Sequence, residues 1–541
     1  MRPQMPIIQL EAQVHLKGRR LEFESIAQML TIRSRETPEA PHVYYYDQKL
    51  TYRDTNERAN QIANFLKEKG VKKGDIVAVM IRNAPEIYYA MWGAQKLGAV
   101  ALVVNYCLKG PEIAYVLNDA KPKVAFVGSD YIDEFAKGLD QAKSKPYVVE
   151  AVTDIVHESA IAQKKFADIL AQYPTDECLV KQNLEDPFML LYSSGTTGQP
   201  KGILLSNRAQ LSQCRNFNRQ GYIKGNDVMM IMLPMFHTNP LCVFTYPISY
   251  AGQALCIRKK FSPHEFWPAV MQYGITIIMG VPTMFDYILS KVEQTDIDRS
   301  KVKIRYAFTG GASLSLVTRR EFKKKYNIDF LVGYGLTEGC GGNTTEPALG
   351  HFKDGSCGMT HPEEQIEIMD EEGNILPNNV DGEVCIKGDC VMTGYLNKPE
   401  QTAEIMRGGF LHTGDIGHFD EDGYLYIVDR KGDMIIRGGE NIYPRQIEIV
   451  LEEHPLVAEV AVIGIPDKYL GQQVKACIVP RQKSSMTVAA TRQWLLERMA
   501  KYKVPELYEF VDRLPRTPSG KIQKFKLVEE NNRAHNCKSL F

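Results

Sequence analysis

Residues 76–104 read IVAVMIRNAPEIYYAMWGAQKLGAVALVV, and their pattern sets the fold class. Ile76 to Ile81 is a short apolar strand, Ala84 to Leu97 carries a helical pattern, and Val100 to Val104 is a second, buried strand. Strand, helix and strand in that order predict a β-α-β unit and a parallel, doubly wound sheet. Upstream, Asp54 to Gly70 adds a helix with Ala59, Ile62, Ala63 and Leu66 on one face. The same grammar returns between about 225 and 340. Val228 to Leu233, Ile275 to Met279, Arg305 to Phe308 and Phe330 to Tyr334 read as strands. Pro263 to Tyr273 and the stretch near Leu316 to Lys325 read as helices between them. Two α/β units in tandem are expected.

From 355 to 428 the pattern changes to short alternating strands broken by turn signals at Glu371-Glu-Gly373, Asn378-Asn379 and Glu421-Asp-Gly423. That fits a small β-rich subdomain. After Asp429-Arg430-Lys431-Gly432 a separate α+β unit begins. Its first helix, Arg445 to Glu453, follows Pro444, a residue suited to a helix start. Strands at Ala458 to Ile463 and Val474 to Val479 come next, then a helix at Arg492 to Met499. The expected architecture is therefore α/β. A large N-terminal domain, 1–430, holds two doubly wound subdomains and the β-rich one; a small mobile α+β domain, 431–541, follows.

Bulk composition narrows the function. The 541 residues exceed one core and predict two to four structural units. Lysine plus arginine balances aspartate plus glutamate at 65 each, so no net field favours nucleic acid or an anionic membrane. The eleven cysteines lack metal-ligand spacing, which points to reduced thiols in a cytoplasmic protein. No apolar run reaches the roughly 20 residues that span a bilayer, and the amino terminus resembles no secretory signal. Peripheral membrane contact stays open.

The run Tyr192-Ser-Ser-Gly-Thr-Thr-Gly-Gln-Pro-Lys201-Gly202 directly follows apolar Phe188 to Leu191. Its amides, hydroxyls and single ammonium suit a polyphosphate. It differs from the usual P-loop, because Lys201 lies between Pro200 and Gly202. Three further loops of small and polar residues follow expected strands: Gly280-Val-Pro282, Thr309-Gly-Gly-Ala312 and Tyr334-Gly-Leu-Thr-Glu338. In open α/β sheets ligands bind beyond the carboxyl ends of strands, so these loops should meet at one crevice.

Five ordered stretches carry a resemblance. They are the phosphate loop, Gly333-Tyr-Gly-Leu-Thr-Glu338, His412-Thr-Gly-Asp415, Asp429-Arg430 with Arg437-Gly-Gly-Glu-Asn-Ile-Tyr-Pro444, and Pro515 with Pro518-Ser-Gly-Lys521. Together they resemble the signatures of AMP-forming acyl-CoA synthetases, in the adenylating superfamily that also holds peptide-synthetase adenylation domains and luciferases. The likeness runs from about 25 to 530. It implies a carboxylate attacking the α-phosphate of ATP with Mg2+, then coenzyme A displacing AMP from the acyl-adenylate. By this resemblance Ser193, Ser194, Gly195, Thr196, Thr197, Gly198 and Lys201 would hold the outer phosphates. Thr337 would donate to the α-phosphate and Glu338 would ligate magnesium, a hard cation that takes oxygen. Gly311, Ala312 and Tyr334 would form the adenine pocket, and Asp415 with Arg430 the ribose site. Lys521 would reach the carboxylate and α-phosphate during adenylation, and Gly438, Gly439 and Glu440 would flank pantetheine in the second half-reaction. The hinge position falls on Gly432, which eases rotation but offers no stabilising side chain.

His237 lies where the family places an aromatic gate at the acyl pocket. Amino-acid-activating relatives carry an acid at the next position; here Thr238 follows, which argues against an amine substrate. The other pocket segments are small and uncharged. A medium- or long-chain fatty acid is the leading expectation; aryl, alicyclic or carnitine-like acids, and a carrier protein as acceptor, stay open. A homodimer is the family-level expectation.

Overall fold

In the computed structural model the 76–104 run forms the strand Ile76–Met80, the helix Pro85–Lys96 and the strand Val100–Val103. The strands are parallel, with Ile76 opposite Val100. The structure describes residues 15–16, 19–20, 23–152, 159–193, 200–291, 297–311, 314–348, 352–437, 440–467, 470–481, 486–499, 501–516 and 522–538. Pro85 starts its helix at the first turn, where a missing N–H costs nothing. The preceding helix, Tyr52–Glu68, opens on a capping box: Asp54 N donates to Thr51 Oγ1, and Thr51 N donates back to Asp54.

These strands lie in a sheet ordered Gly394–Tyr395, Lys201–Ser206, Pro187–Ser193, Val100–Val103, Ile76–Met80, Val124–Gly128, Tyr147–Ala151, Lys164–Lys165. A second sheet runs Met359–Thr360, Thr344–Thr345, Asp329–Tyr334, Tyr306–Gly310, Ile277–Gly280, Val228–Ile231, Ala254–Ile257, Pro41–Tyr45, Gln48–Thr51. The two expected α/β units are present, and each sheet gains edge strands from elsewhere in the chain. The strands at 41–51, upstream of the first unit, close the far edge of the second sheet, with Val43 opposite Leu255. Gly394–Tyr395, from beyond the second unit, closes the edge of the first. Short segments state at most a strand and not its distant partner, so neither pairing follows from sequence order.

The two sheets share one core. Trp92 meets Tyr246 edge-on at 5.3 Å between ring centroids, and Gln95 Nε2 donates to the Tyr246 hydroxyl at 2.8 Å. One contiguous apolar cluster reaches from Val77 and Ile62 to Ile231 and Leu331. Sheets buried on both faces gain most of their stability from this apolar area.

The β-rich subdomain is an antiparallel sheet of Glu364–Met369, Gly382–Gly388, Phe410–Phe419, Met406–Arg407 and Leu425–Arg430. Beyond it the chain builds its own apolar clusters, around Ile435, Leu451, Val462 and Leu495 and around Ala461, Leu514 and Leu527. There the strands Val457–Asp467 and Gly471–Pro480 form a long hairpin, joined in parallel by Leu507–Phe510. Its helices are Pro444–Glu452, Val488–Leu496 and Lys524–Lys538. The helix expected at 492–499 begins earlier because Thr487 caps it, accepting from Ala490 N at 3.2 Å. No described helix is long and apolar enough to cross a membrane.

His42 joins the layers. Its ring nitrogens lie 3.0 Å from Thr55 Oγ1 and 3.0 Å from Ser249 Oγ, and it stacks on Tyr52 at 4.2 Å. Complete burial pulls its pKa down to about 3. The unfolded histidine titrates near 6.5, so between these values the unfolded chain binds the extra proton. Stability should therefore fall as pH drops from about 6.5 towards 3, by up to about 4 kcal/mol. His42→Asn should flatten the acid limb of the melting temperature against pH; an unchanged limb would contradict this account.

Candidate active site

The strands Ile277–Gly280, Tyr306–Gly310 and Asp329–Tyr334 are parallel neighbours, so their carboxyl ends open on one edge. Val281, Gly311, Tyr334 and Thr337 from those ends line one cavity of about 970 Å³. The expected convergence of three loops is thus present. Glycine is required by close backbone approach. A Cβ on Gly310 would lie 2.9 Å from the Gly333 carbonyl oxygen, and one on Gly335 only 2.0 Å from that of Gly341.

Among the expected site residues, Gly311, Tyr334, Thr337 and His237 line the cavity directly. Around them Tyr334 donates its hydroxyl to Asp415 Oδ2 at 2.7 Å, and Arg430 Nε donates to Asp415 Oδ1 at 2.9 Å. Asp415 is 4 % exposed. Its charge raises the Arg430 pKa against the effect of burial; burial, with Asp415 beside it, pushes the Tyr334 phenol well up. Pairing is set by the antiparallel strands Phe410–Phe419 and Leu425–Arg430, where Asp415 lies opposite Arg430. Gly414, at φ 71°, turns the chain just before the acid.

Thr337 Oγ1 lies 2.7 Å from Thr238 Oγ1, which ties the third loop to the His237 segment. Glu338 Oε1 accepts from the Tyr395 hydroxyl at 2.9 Å, and the Lys201 ammonium stands 4.9 Å from the centre of that ring. Ser193 and Lys201 face each other across an antiparallel hairpin. The phosphate loop is therefore held at both ends by paired strands. Ser194, Gly195, Thr196, Thr197 and Gly198 lie outside the described residues, as do Ala312, Gly438, Gly439 and Lys521. Arg516 bridges Ile522, and both line the cavity. Glu440 pairs with Arg437 across the strands Ile435–Arg437 and Glu440–Ile442.

His237 packs on Phe236 at 4.3 Å between ring centroids. Burial lowers its pKa to about 4, so the imidazole is neutral at pH 7, and its Nε2 has no hydrogen-bond partner among the described residues. The segment after it, Asn239–Thr245, is π-helical, an irregularity common at functional sites. Phe217, Leu233, Val243, Phe244 and Phe308 give the cavity an apolar lining, whereas Arg445, Glu448, Glu452 and Lys524, with Asp286 and Arg516, contribute charge to it.

Sequence reasoning missed Tyr395, which reaches Glu338 from an edge strand far downstream. It also missed Asp429, whose Oδ2 accepts from Arg445 N at 2.8 Å in the first turn of Pro444–Glu452. A carboxylate there caps the helix and meets its positive end. The only signal was the motif Asp429-Arg430 itself, which was read for its arginine.

A family model described as AMP-binding enzyme matches residues 30–396, and one described as AMP-binding enzyme C-terminal domain matches 446–521. The long-chain-fatty-acid–CoA ligase FadD13 of Mycobacterium tuberculosis is 34% identical over 487 residues, covering 90% of this chain and 93% of that protein. A feruloyl-CoA synthase of Amycolatopsis sp is 32% identical over 493 residues, covering 91% and 96%. The crystal structure of ATP-bound MatB from Rhodopseudomonas palustris superposes with a TM-score of 0.85 at 29% identity, covering 93% and 98%.

Tyr395→Phe removes the hydroxyl that orients Glu338. Carboxylate-dependent ATP–pyrophosphate exchange should slow roughly fivefold, for about 1 kcal/mol of lost hydrogen bonding, with the fold unchanged. Exchange at the parental rate would detach Tyr395 from the function of that acid.

Proposed function

Because the chain belongs to the AMP-forming acyl-CoA synthetases of the adenylate-forming superfamily, we propose that its acid is a medium- or long-chain fatty acid. The enzyme is an ATP-dependent acid–CoA ligase. In the first half-reaction a carboxylate oxygen attacks the α-phosphorus and pyrophosphate leaves. In the second, the thiol of coenzyme A attacks the acyl carbon, AMP departs and the thiol proton is released.

The observation that carries the fatty-acid reading is the apolar group Phe217, Leu233, Val243, Phe244 and Phe308 in the cavity lining, which suits an uncharged substrate tail. The relative FadD13, named for long-chain acids, supports it. Three of these side chains are aromatic and pack edge to face, Phe217 on Phe244 at 5.7 Å and Phe244 on Phe308 at 5.2 Å. That favours, as second reading, a flat aryl acid, in line with the name of the feruloyl-CoA synthase relative.

Roles follow from chemistry. Asp415, fixed by Tyr334 and Arg430, accepts from the ribose hydroxyls. Gly311 and Ala312 let the backbone approach adenine. Thr337 donates to the α-phosphate, while Ser193, the 194–198 loop and Lys201 neutralise the departing pyrophosphate. Glu338 Oε1 is held by Tyr395, and its second oxygen has no hydrogen bond drawn to a described residue. Such a donor fits Mg2+, which when bound screens phosphate charge. Neutral His237 closes the acyl end without adding charge. Lys521 brings an ammonium to the two anionic reactants. Gly438, Gly439 and Glu440 line the thiol's approach after the lid, residues 431–541, turns about Gly432. A cytoplasmic setting and a homodimer complete the proposal.

A panel of acids in ATP–pyrophosphate exchange tests the substrate. Saturated medium and long chains should support exchange far above acetate and amino acids; exchange confined to cinnamate-like acids would replace the fatty-acid reading with the aryl one. Lys521→Ala should abolish exchange while a supplied acyl-adenylate still reacts with coenzyme A. Equal loss of both half-reactions would overturn the lysine's assigned role.

A further inference from the structure

Apart from the nucleotide chemistry, three potential ligands from two strands meet at one point in the β-rich subdomain. Glu383 and Cys385 lie two residues apart on Gly382–Gly388 and therefore share a face. His412, on Phe410–Phe419, is the direct cross-strand partner of Cys385. The ladder shifts register between Glu383 and Cys385, and this irregularity draws the glutamate towards the same ring. His412 Nδ1 lies 3.4 Å from Cys385 Sγ and 3.1 Å from Glu383 Oε2, and the ligand atoms all stand within 4.8 Å of one another.

The two separations from His412 Nδ1 suit coordination. With metal–nitrogen and metal–oxygen bonds near 2.1 Å and a metal–sulfur bond near 2.3 Å, the edges of a tetrahedron are about 3.3–3.6 Å. Cys385 is fully buried, and the side chains of Glu383 and His412 are 11% and 10% exposed. The glutamate is also pre-oriented. Its Oε1 accepts from Gly414 N at 3.1 Å, which turns Oε2 towards the histidine. A carboxylate fixed by an outer hydrogen bond is what a metal ligand requires. The guanidinium of Arg407 lies 3.1 Å from the same Nδ1, on a side chain 56% exposed and able to swing into solvent, and the Lys431 ammonium also acts on the Cys385 thiol.

We propose that Glu383 Oε2, Cys385 Sγ and His412 Nδ1 form a site for one borderline-soft divalent metal ion of the zinc class, water taking the fourth position. Thiolate, imidazole and carboxylate together select such ions over magnesium or calcium. On binding, the Cys385 thiol proton passes to solvent and the sulfur ligates as thiolate. The ion would sit beneath Gly414, whose carbonyl accepts from Lys431 N at 2.8 Å. It would thereby brace the turn between Asp415 and the lid connection.

The test is a titration of the chelator-treated full chain with Co2+, followed by its sulfur-to-metal charge-transfer absorption. The parent should saturate at about one equivalent. Cys385→Ser should lose the band, and His412→Gln should weaken binding about tenfold. Arg407→Gln, which removes the competing cation and leaves every ligand in place, should tighten Zn2+ binding several-fold in competition with a chromophoric chelator. Absence of the band in the parent overturns the site, as does an undiminished band in Cys385→Ser. Should either ligand variant fail to fold, Arg407→Gln decides: unchanged or weaker Zn2+ affinity also refutes the proposal.

Discussion

The Asp415 carboxylate is the point on which the architecture turns. It is nearly buried, and an isolated charge there would be costly. Tyr334 arrives from the second parallel sheet and Arg430 from the last strand before the C-terminal unit, so three parts of the chain satisfy one anion. Removing either partner would leave a desolvated charge, a penalty of several kcal/mol. The interaction therefore joins sheet, β-rich subdomain and lid connection at the rim of the cavity.

Close backbone approach is the second constraint. Where Gly310 passes Gly333 and Gly335 passes Gly341, any side chain would collide with a carbonyl oxygen. The same bareness that lets strands crowd together leaves peptide groups exposed to a planar ligand. Peptide groups thereby join the cavity lining beside the apolar Phe217, Phe244 and Phe308 and the ionic network of Arg445, Glu448 and Lys524.

Much of this was legible in the residues. Buried parallel strands announce themselves as continuous apolar runs, so Ile76–Met80, Val100–Val103 and Asp329–Tyr334 were found within a residue or two, and Pro263–Tyr273 at both ends. The strand-end loops were legible because glycine and a few polar types cluster after apolar strands, whereas Thr337 and the Asp415–Arg430 pair were singled out only through the family resemblance. What escaped was long-range. Nothing in Pro41–Tyr45 names Ala254–Ile257 as its neighbour, and nothing in Gly394-Tyr395 names Glu338. Pairing across hundreds of residues depends on packing that local pattern does not encode. The Glu383, Cys385 and His412 juxtaposition escaped for the same reason, since Cys385 and His412 pair across strands and Glu383 joins them only through a ladder irregularity.

The Asp429 cap has a consequence for catalytic tempo. The acid ends the strand Leu425–Arg430 and the amide it accepts from opens the helix Pro444–Glu452, so the bond ties the β-rich subdomain to the C-terminal unit across Gly432. Under the lid rotation proposed above, acid and amide would part and the first helical turn would lose its counter-charge, at about 1 kcal/mol. A single peptide N–H would then bias the two proposed poses several-fold, and residue 429 could retune that ratio without altering any group proposed to meet substrate.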